Sequence, residues 1–423
     1  MQLFETKLCV TCRGRGFCKR PCRIYKKIKD FIPKTKTHFS GNSPPEIFVG
    51  KYNYPNINAG ILSPDYSEFS KQKDSVLKSL DLEPAIKEFS MPEVWHENNL
   101  SISQILSNRG KLIYGRFKTQ IKQARTSNKF LNIMQEISMS YKSVSTEFFL
   151  KKPPKKNLEI SKGLPLIGNP APLKNAILQE NPKIKSKVDY LVSDDHCKSV
   201  TAINELHNSN IPTSNISKIL SAGLLGLKTQ RRLVPTKWSI TATDDIISKQ
   251  LLKKIRYYPE INEPLLFHSY YNGNHYEILL LPDKFAFEVL EAETIGSLWN
   301  QTDSIALMKD YEFFNGRKKY AYNVTGAYYA NRLALCEYLE KIKRQCTALF
   351  IREVRPEYYA PLGVGILRET CRAAFQKQPE KFATLNEALE KSQTRLKIPI
   401  STFTNSSTIL KEFGKQTRLT KWF

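Results

Sequence analysis

Two apolar runs, Leu265 to Tyr271 and Tyr276 to Leu281, meet across Asn272-Gly-Asn274, and this stretch constrains the fold more than any other. Asparagine followed by glycine supplies the positive-φ positions of a tight turn, so the runs predict adjacent antiparallel strands. Further strands are predicted at Ile47 to Val49, Val144 to Leu150, Val188 to Val192, Phe285 to Ala292 and Ala348 to Val354, and Asn315-Gly316 predicts a second hairpin. Helical spacing alternates with them. Over 128–142, Phe130, Met134, Ile137 and Tyr141 recur at steps of four and three with Ile133 beside them; over 328–342 a stripe carries Leu333, Leu335, Leu339 and Ile342. Such stripes predict core faces. Helices are also predicted near 364–376 and 384–394. The mixture predicts an α+β core without internal repeats.

A chain of 423 residues is long enough for two or three domains. The sequence divides into a basic four-cysteine module at 1–40, core domains at 41–284 and 285–395, a Ser-, Thr- and Asn-rich flexible linker at 396–415, and a terminal peptide at 416–423. A formal net charge of +25 calls for a polyanionic partner. No apolar run approaches the roughly 20 residues that span a bilayer, and the first residues lack a signal-peptide core. An intracellular, cytoplasmic protein is expected, associated with the nucleoid and not with a membrane.

Eight cysteines are present, and four of them, Cys9, Cys12, Cys18 and Cys22, crowd together with the spacing C-x2-C-x5-C-x3-C. Thiolates so close can converge on one tetrahedral ion, with Gly14 and Gly16 supplying the tight turns. Structural zinc is the expected metal; an iron-sulfur cluster is the alternative for the same donors. Metal binding would supply folding energy that this short, core-poor segment lacks. Arg13, Arg15, Lys19 and Arg20 surround the thiolates and are candidates for phosphate contacts, or for a solvated basic face. Cys197, Cys336, Cys346 and Cys371 are dispersed, as small buried side chains are.

The most distinctive internal stretch is Gln230-Arg-Arg-Leu-Val-Pro-Thr-Lys-Trp-Ser-Ile-Thr-Ala-Thr-Asp-Asp245. Arg231, Arg232, Lys237 and Trp238 combine cations with one large aromatic, the chemistry that grips phosphates and stacks on an unpaired base. A core tryptophan flanked by surface ion pairs is the alternative. Thr241 or Thr243 with Asp244 and Asp245 predicts a helix start, which gives the acids a structural role. Asp244 and Asp245 are also the catalytic candidates for a base-removing glycosylase with Trp238 as its stacking platform. A metal-dependent nuclease would need Asp194, Asp195, Asp244 and Asp245 to converge, whereas Asp194 and Asp195 alone also suit helix capping. Lys151-Lys-Pro-Pro-Lys-Lys156 predicts a basic surface loop.

In the last eight residues Gln416, Leu419 and Trp422 are spaced by three, so a single 3₁₀ turn would present them on one side. Burying Leu419, Trp422 and Phe423 at roughly 1.5–3 kcal/mol each, less the cost of ordering the tail, suits affinity of about micromolar. The string Q-x-x-L-x-x-W-F resembles the peptide by which replication and repair proteins dock on the sliding clamp PCNA. That resemblance implies that Leu419, Trp422 and Phe423 fill the clamp's hydrophobic pocket and Gln416 its polar neighbour.

The cysteine segment, Ser43-Pro-Pro-Glu-Ile-Phe-Val-Gly50, Arg232-Leu-Val-Pro-Thr-Lys-Trp-Ser-Ile-Thr-Ala242, Gly326-Ala-Tyr-Tyr-Ala-Asn-Arg332 and the terminal peptide together resemble the archaeal Nre family, in the same order and over nearly the whole chain. The resemblance implies a DNA repair protein bound to the clamp through its C-terminal peptide, with Cys9, Cys12, Cys18 and Cys22 as ligands of a zinc finger. It transfers no catalytic residue. A clamp-recruited DNA-binding protein and a clamp-coupled glycosylase or nuclease are therefore the two expectations, with an RNA-binding protein whose tail packs internally as a third.

Overall fold

The computed structural model describes residues 36–64, 87–155, 164–295, 297, 300 and 304–415. Cys9, Cys12, Cys18 and Cys22, the cations Arg13, Arg15, Lys19 and Arg20, and the peptide Gln416, Leu419, Trp422 and Phe423 lie outside the described residues. The described chain is α+β and forms two compact units, 36–247 with 360–366 and 248–359 with 367–415. Among the described residues no helix is long and apolar enough to cross a membrane.

In chain order the first unit runs β1 (His38–Ser43), β2 (Ile47–Val49), β3 (Asn56–Pro64), α1 (Pro92–Glu97), α2 (Ile102–Lys111), β4 (Leu112–Gln120), α3 (Lys129–Met139), β5 (Val144–Leu150), β6 (Asn169–Leu178), α4 (Ser186–Ser193), α5 (Ser199–Asn208), α6 (Thr213–Ser221) and the start of α7 (Thr236–Ile255). Its six strands are ordered β1-β5-β6-β4-β3-β2, with β4 and β6 parallel and all other neighbours antiparallel. Strand β5 buries Val144, Thr146, Phe148 and Leu150 at every second position, the strand period. Helix α3 is capped by Asn128, whose side chain accepts from the Phe130 and Leu131 amides, and buries Leu131, Ile133, Met134 and Ile137. Phe130 is only half-buried and Tyr141 follows the helix, so the core stripe is displaced from the expected one. Strands β3 and β4 approach closely at Gly60, where a Cβ would stand 2.1 Å from the Gly115 carbonyl oxygen.

Two expectations fail in this unit. Val188 to Val192 is not a strand but the middle of α4, which buries Val188 and Leu191. Residues three apart share a face on a helix and oppose each other on a strand, so only the helix buries both on one side. Helix α7 begins at Thr236 and not at 241–245. The Pro235 carbonyl accepts from the Trp238 and Ser239 amides at 2.8 and 3.0 Å, so the proline itself opens the helix. Asp244 and Asp245 are thereby moved to the helix interior.

The second unit continues with β7 (Leu265–Tyr271), β8 (Asn274–Leu281), β9 (Ala286–Glu293), β10 (Ala306–Glu312), α8 (Gly326–Ile342), β11 (Thr347–Val354), α9 (Gly365–Phe375), β12 (Glu380–Lys381), α10 (Leu385–Gln393), α11 (Ile400–Ser406) and α12 (Thr408–Glu412). The sheet order is β10-β9-β11-β8-β7-β12, with β9 and β11 parallel and the rest antiparallel. The Asn272-Gly273 turn has φ of 50° and 79°, as the predicted hairpin requires. Strands β8, β9 and β11 are buried along their whole length because both faces are covered. On one face Leu279, Leu290 and Leu349 join Ala388, Phe403 and Ile409 in a core. On the other, Phe267, Phe287 and Phe350 meet the rings of Tyr338, Tyr328 and Phe375.

Residues 396–415, expected as a flexible linker, instead form α11 and α12 with Phe403 and Ile409 buried. The buried Glu288 carboxylate of β9 accepts from the Thr408 and Ile409 amides at 2.9 and 3.2 Å and opens α12. Glu353 of β11 accepts in the same way from the Lys397 and Ile398 amides, at 2.8 and 2.7 Å. The serines and threonines that gave this segment the composition of a linker include helix caps such as Ser407. Asn315-Gly316 forms a turn, with the Gly316 amide 2.7 Å from the Phe313 carbonyl, but the chain enters α8 next and makes no hairpin. The division between the units falls inside α7 and not after residue 284, where β8 and β9 belong to one sheet through β11.

Candidate nucleic-acid interface

The first unit brings together two stretches that the sequence singled out separately. The Val49 amide at the end of β2 donates to the Thr236 hydroxyl at 2.9 Å, and Ser221 of α6 donates to the Val234 carbonyl at 2.7 Å. The segment 43–50 is thus seated against 232–242. Its base is charged and buried: Glu46, just before β2, lies 3.1 Å from Arg109 of α2 and 3.1 Å from Lys218 of α6. Burial pulls the Arg109 pKa below its ordinary value and Glu46 opposes that pull. Such a triad fixes β2 against α2 and α6, since separating one partner strands a buried charge.

Above that base the surface is aromatic and basic. Trp238 in the first turn of α7 is 45% exposed and its ring stands 5.3 Å from that of Tyr54, itself 48% exposed. Tyr52 is exposed beside it in the turn between β2 and β3, with the Lys51 ammonium 5.6 Å from its ring centre. The Ile121 amide donates to the Pro55 carbonyl and the Leu233 amide to the Ile121 carbonyl, at 3.2 and 2.9 Å. These bonds bring the end of β4 and the 3₁₀ turn Ile121–Arg125 alongside the Tyr54 turn and residue 233. Lys118, Lys122 and Arg232 are exposed there, and none is paired with an acid among the described residues. Lys237 is half-buried. Exposed rings with exposed cations on the adjoining segments suit stacked bases and phosphates.

The remaining candidates have other tasks. Arg231 is half-buried and donates to the Gly226 and Asp194 carbonyls at 2.8 and 2.9 Å, so it ties loops together and is not offered to a phosphate; burial lowers its pKa. Asp194 accepts from the His196 and Cys197 amides, and Asp195 pairs with Lys228 at 2.6 Å. The Lys228 hydrogen bond holds the Asp195 carboxyl below its usual range. Asp244 is fully buried in α7 and Asp245 half-buried. No three His, Cys, Asp or Glu among the described residues stand where they could hold a metal ion, so the four acids of a metal nuclease do not converge there. Cys336, Cys346 and Cys371 are buried, and desolvation pushes their thiols well up; Cys197 is half-buried. Sequence reasoning missed Tyr52, Tyr54, Lys118 and Lys122. Two tyrosines in a turn ending in proline were the available signal.

Residues 17–300 match the family described as "Archaeal Nre, N-terminal", and residues 312–422 match "Archaeal Nre, C-terminal". The chain belongs to the archaeal Nre family. Among Nre relatives, "DNA repair protein NreB" of Archaeoglobus fulgidus is 32% identical over 97% of this chain and 98% of its own. "DNA repair protein NreA" of the same organism is 33% identical over 92% of this chain and 93% of its own, and the protein of that name from Haloferax volcanii is 30% identical over 87% and 86%. No solved structure matches this Nre chain.

Proposed function

We propose that this chain is a DNA repair protein that docks on the PCNA sliding clamp through Gln416, Leu419, Trp422 and Phe423, and holds DNA on the Tyr54–Trp238 surface. The exposed Tyr54–Trp238 pair set among Lys118, Lys122 and Arg232 carries the DNA-binding part of the reading. Relatives named as DNA repair proteins support the biological setting. The family match through residue 422 takes in most of the clamp peptide. Cys9, Cys12, Cys18 and Cys22 offer four soft donors suited to zinc, which would fold the N-terminal module.

Fluorescence anisotropy tests the DNA surface. With a duplex carrying an unpaired base, Trp238→Ala is expected to weaken binding by about 1–3 kcal/mol, the usual loss of one base-aromatic stack. Arg232→Ala with Lys118→Ala is expected to reduce the slope of log affinity against log salt by about 1.8, two phosphate contacts on duplex DNA. Wild-type affinity and slope in both variants would remove this surface from DNA binding. For the cysteine module, elemental analysis of the purified protein is expected to find about one zinc ion per chain, lost on Cys18→Ser. Iron with visible charge-transfer absorption would assign the thiolates to a cluster instead.

A further inference from the structure

The second unit carries an aromatic surface of its own. From the last two residues of β10 toward α8 the chain reads Tyr311-Glu-Phe-Phe-Asn-Gly-Arg-Lys-Lys-Tyr-Ala-Tyr322. Tyr311, Phe313, Phe314, Tyr320 and Tyr322 are between 36% and 74% exposed. Single exposed rings are ordinary, but five within twelve residues make a patch of the kind that marks a binding surface.

The loop is held in shape by one guanidinium. Arg317 donates to the Tyr311, Lys319 and Tyr320 carbonyls at 3.2, 2.8 and 3.0 Å and to Asp310 at 3.0 Å. Asp310 in turn accepts from the Asn323 and Val324 amides at 2.9 and 2.8 Å. This clip joins the Tyr311–Phe313 pair, with ring centres 5.6 Å apart, to the Tyr320–Tyr322 pair at 5.2 Å. Cations border the rings. Arg256 lies 5.6 Å over Phe314, and Lys318 and Lys319 are exposed. None of these three is paired with an acid among the described residues. The loop's only carboxylate, Glu312, is turned inward onto Arg332 at 3.0 Å and does not offset them.

We infer that this loop is a second nucleic-acid site, for single-stranded DNA. Its exposed rings offer faces to bases, and Arg256, Lys318 and Lys319 meet the phosphates. A duplex hides its base faces, so rings of this kind favour an unpaired strand, and stacking tolerates any base. The proposal rests on the reading of the chain as a DNA-binding protein but uses residues of the other unit.

Anisotropy titrations of the full chain with a mixed-sequence single-stranded 20-mer and with the matching duplex test it, using Phe313→Ala/Tyr322→Ala, Lys318→Ala/Lys319→Ala and Trp238→Ala. Loss of the two exposed rings is expected to weaken single-strand binding tenfold or more and to leave duplex binding within about twofold. Loss of the two lysines is expected to lower the single-strand salt slope by about 1.4. Wild-type single-strand affinity and slope in both loop variants, with Trp238→Ala defective, would overturn the second site and leave the first. No binding of either probe by the parent protein would overturn both. A smaller sedimentation mass for Phe313→Ala/Tyr322→Ala, with single-strand binding intact, would assign the rings to a contact between copies of the chain and reject the proposal.

Discussion

Truncation after Lys415 is expected to abolish heat release in a calorimetric titration of the cognate sliding clamp, while the parent chain binds at about micromolar affinity or tighter. The peptide removed contains the three apolar side chains whose burial would supply the affinity of the proposed contact, and nothing else in that contact would compensate for them. The structure makes the test clean at the other end. The Glu288 carboxylate accepts from the Thr408 amide at the start of α12, and Phe413 packs against the core, so the cut falls beyond every described helix. Far-UV circular dichroism and the thermal transition of the truncated chain should match those of the parent. Equal titration by both forms would sink the clamp assignment and leave the tail as a segment with another task. The test also reports on reach. With α11 and α12 in place of a linker, only Phe413, Gly414 and Lys415 separate the last helix from Gln416, about 10 Å of extended chain. A clamp bound there would sit close to the second unit, not at the end of a long tether.

Glu312→Ala is expected to destabilise the second unit by about 3–5 kcal/mol, the usual result of leaving a buried arginine without its carboxylate. Arg332 Nη1 lies 3.0 and 3.1 Å from the two Glu312 oxygens, and Nε donates to Ser248 at 3.1 Å. Both charged side chains are almost wholly buried, at 1% and 2% exposure, so water cannot replace the lost partner. The guanidinium also lies 5.6 and 5.5 Å from the ring centres of Tyr328 and Tyr329. Differential scanning calorimetry should show the transition lowered by roughly 6–20 °C. Glu312→Ala combined with Arg332→Met should recover most of that loss, because removing both charges leaves nothing to desolvate. If the single variant melted like the parent, the pair would not be holding β10 to α8.

The central hairpin, β11 and the helices near 328–342, 364–376 and 384–394 were legible in the sequence because apolar period and turn chemistry agree there. The misses share a cause. Val188 to Val192 is too short an apolar run for its period to separate strand from helix. Residues 396–415 have the composition of a linker, yet their order is fixed by Glu353 and Glu288, buried acids 44 and 120 residues upstream of the amides they hold, which no local pattern announces. The interface was half legible. Trp238 and Arg232 stood out as a cation-aromatic cluster, but Tyr54 joins them through a hydrogen bond between Val49 and Thr236, a contact across 187 positions. Arg231 looked equivalent to Arg232 in the sequence, and only the carbonyls of Gly226 and Asp194 reveal that its guanidinium is already engaged.

The two units are interleaved along the chain, since the first includes 360–366 as well as 36–247. During synthesis the ribosome therefore releases strands β7 to β11 before the first unit has its last residues. Within 360–366, Gly363 has φ of 85° and no room for a side chain, because a Cβ would lie 2.8 Å from the Pro165 ring. Until that segment emerges, the surface around Pro165 waits without its cover. Completion of the earlier unit thus waits on translation of most of the later one, and a fragment ending at 247 would lack a piece of its own fold.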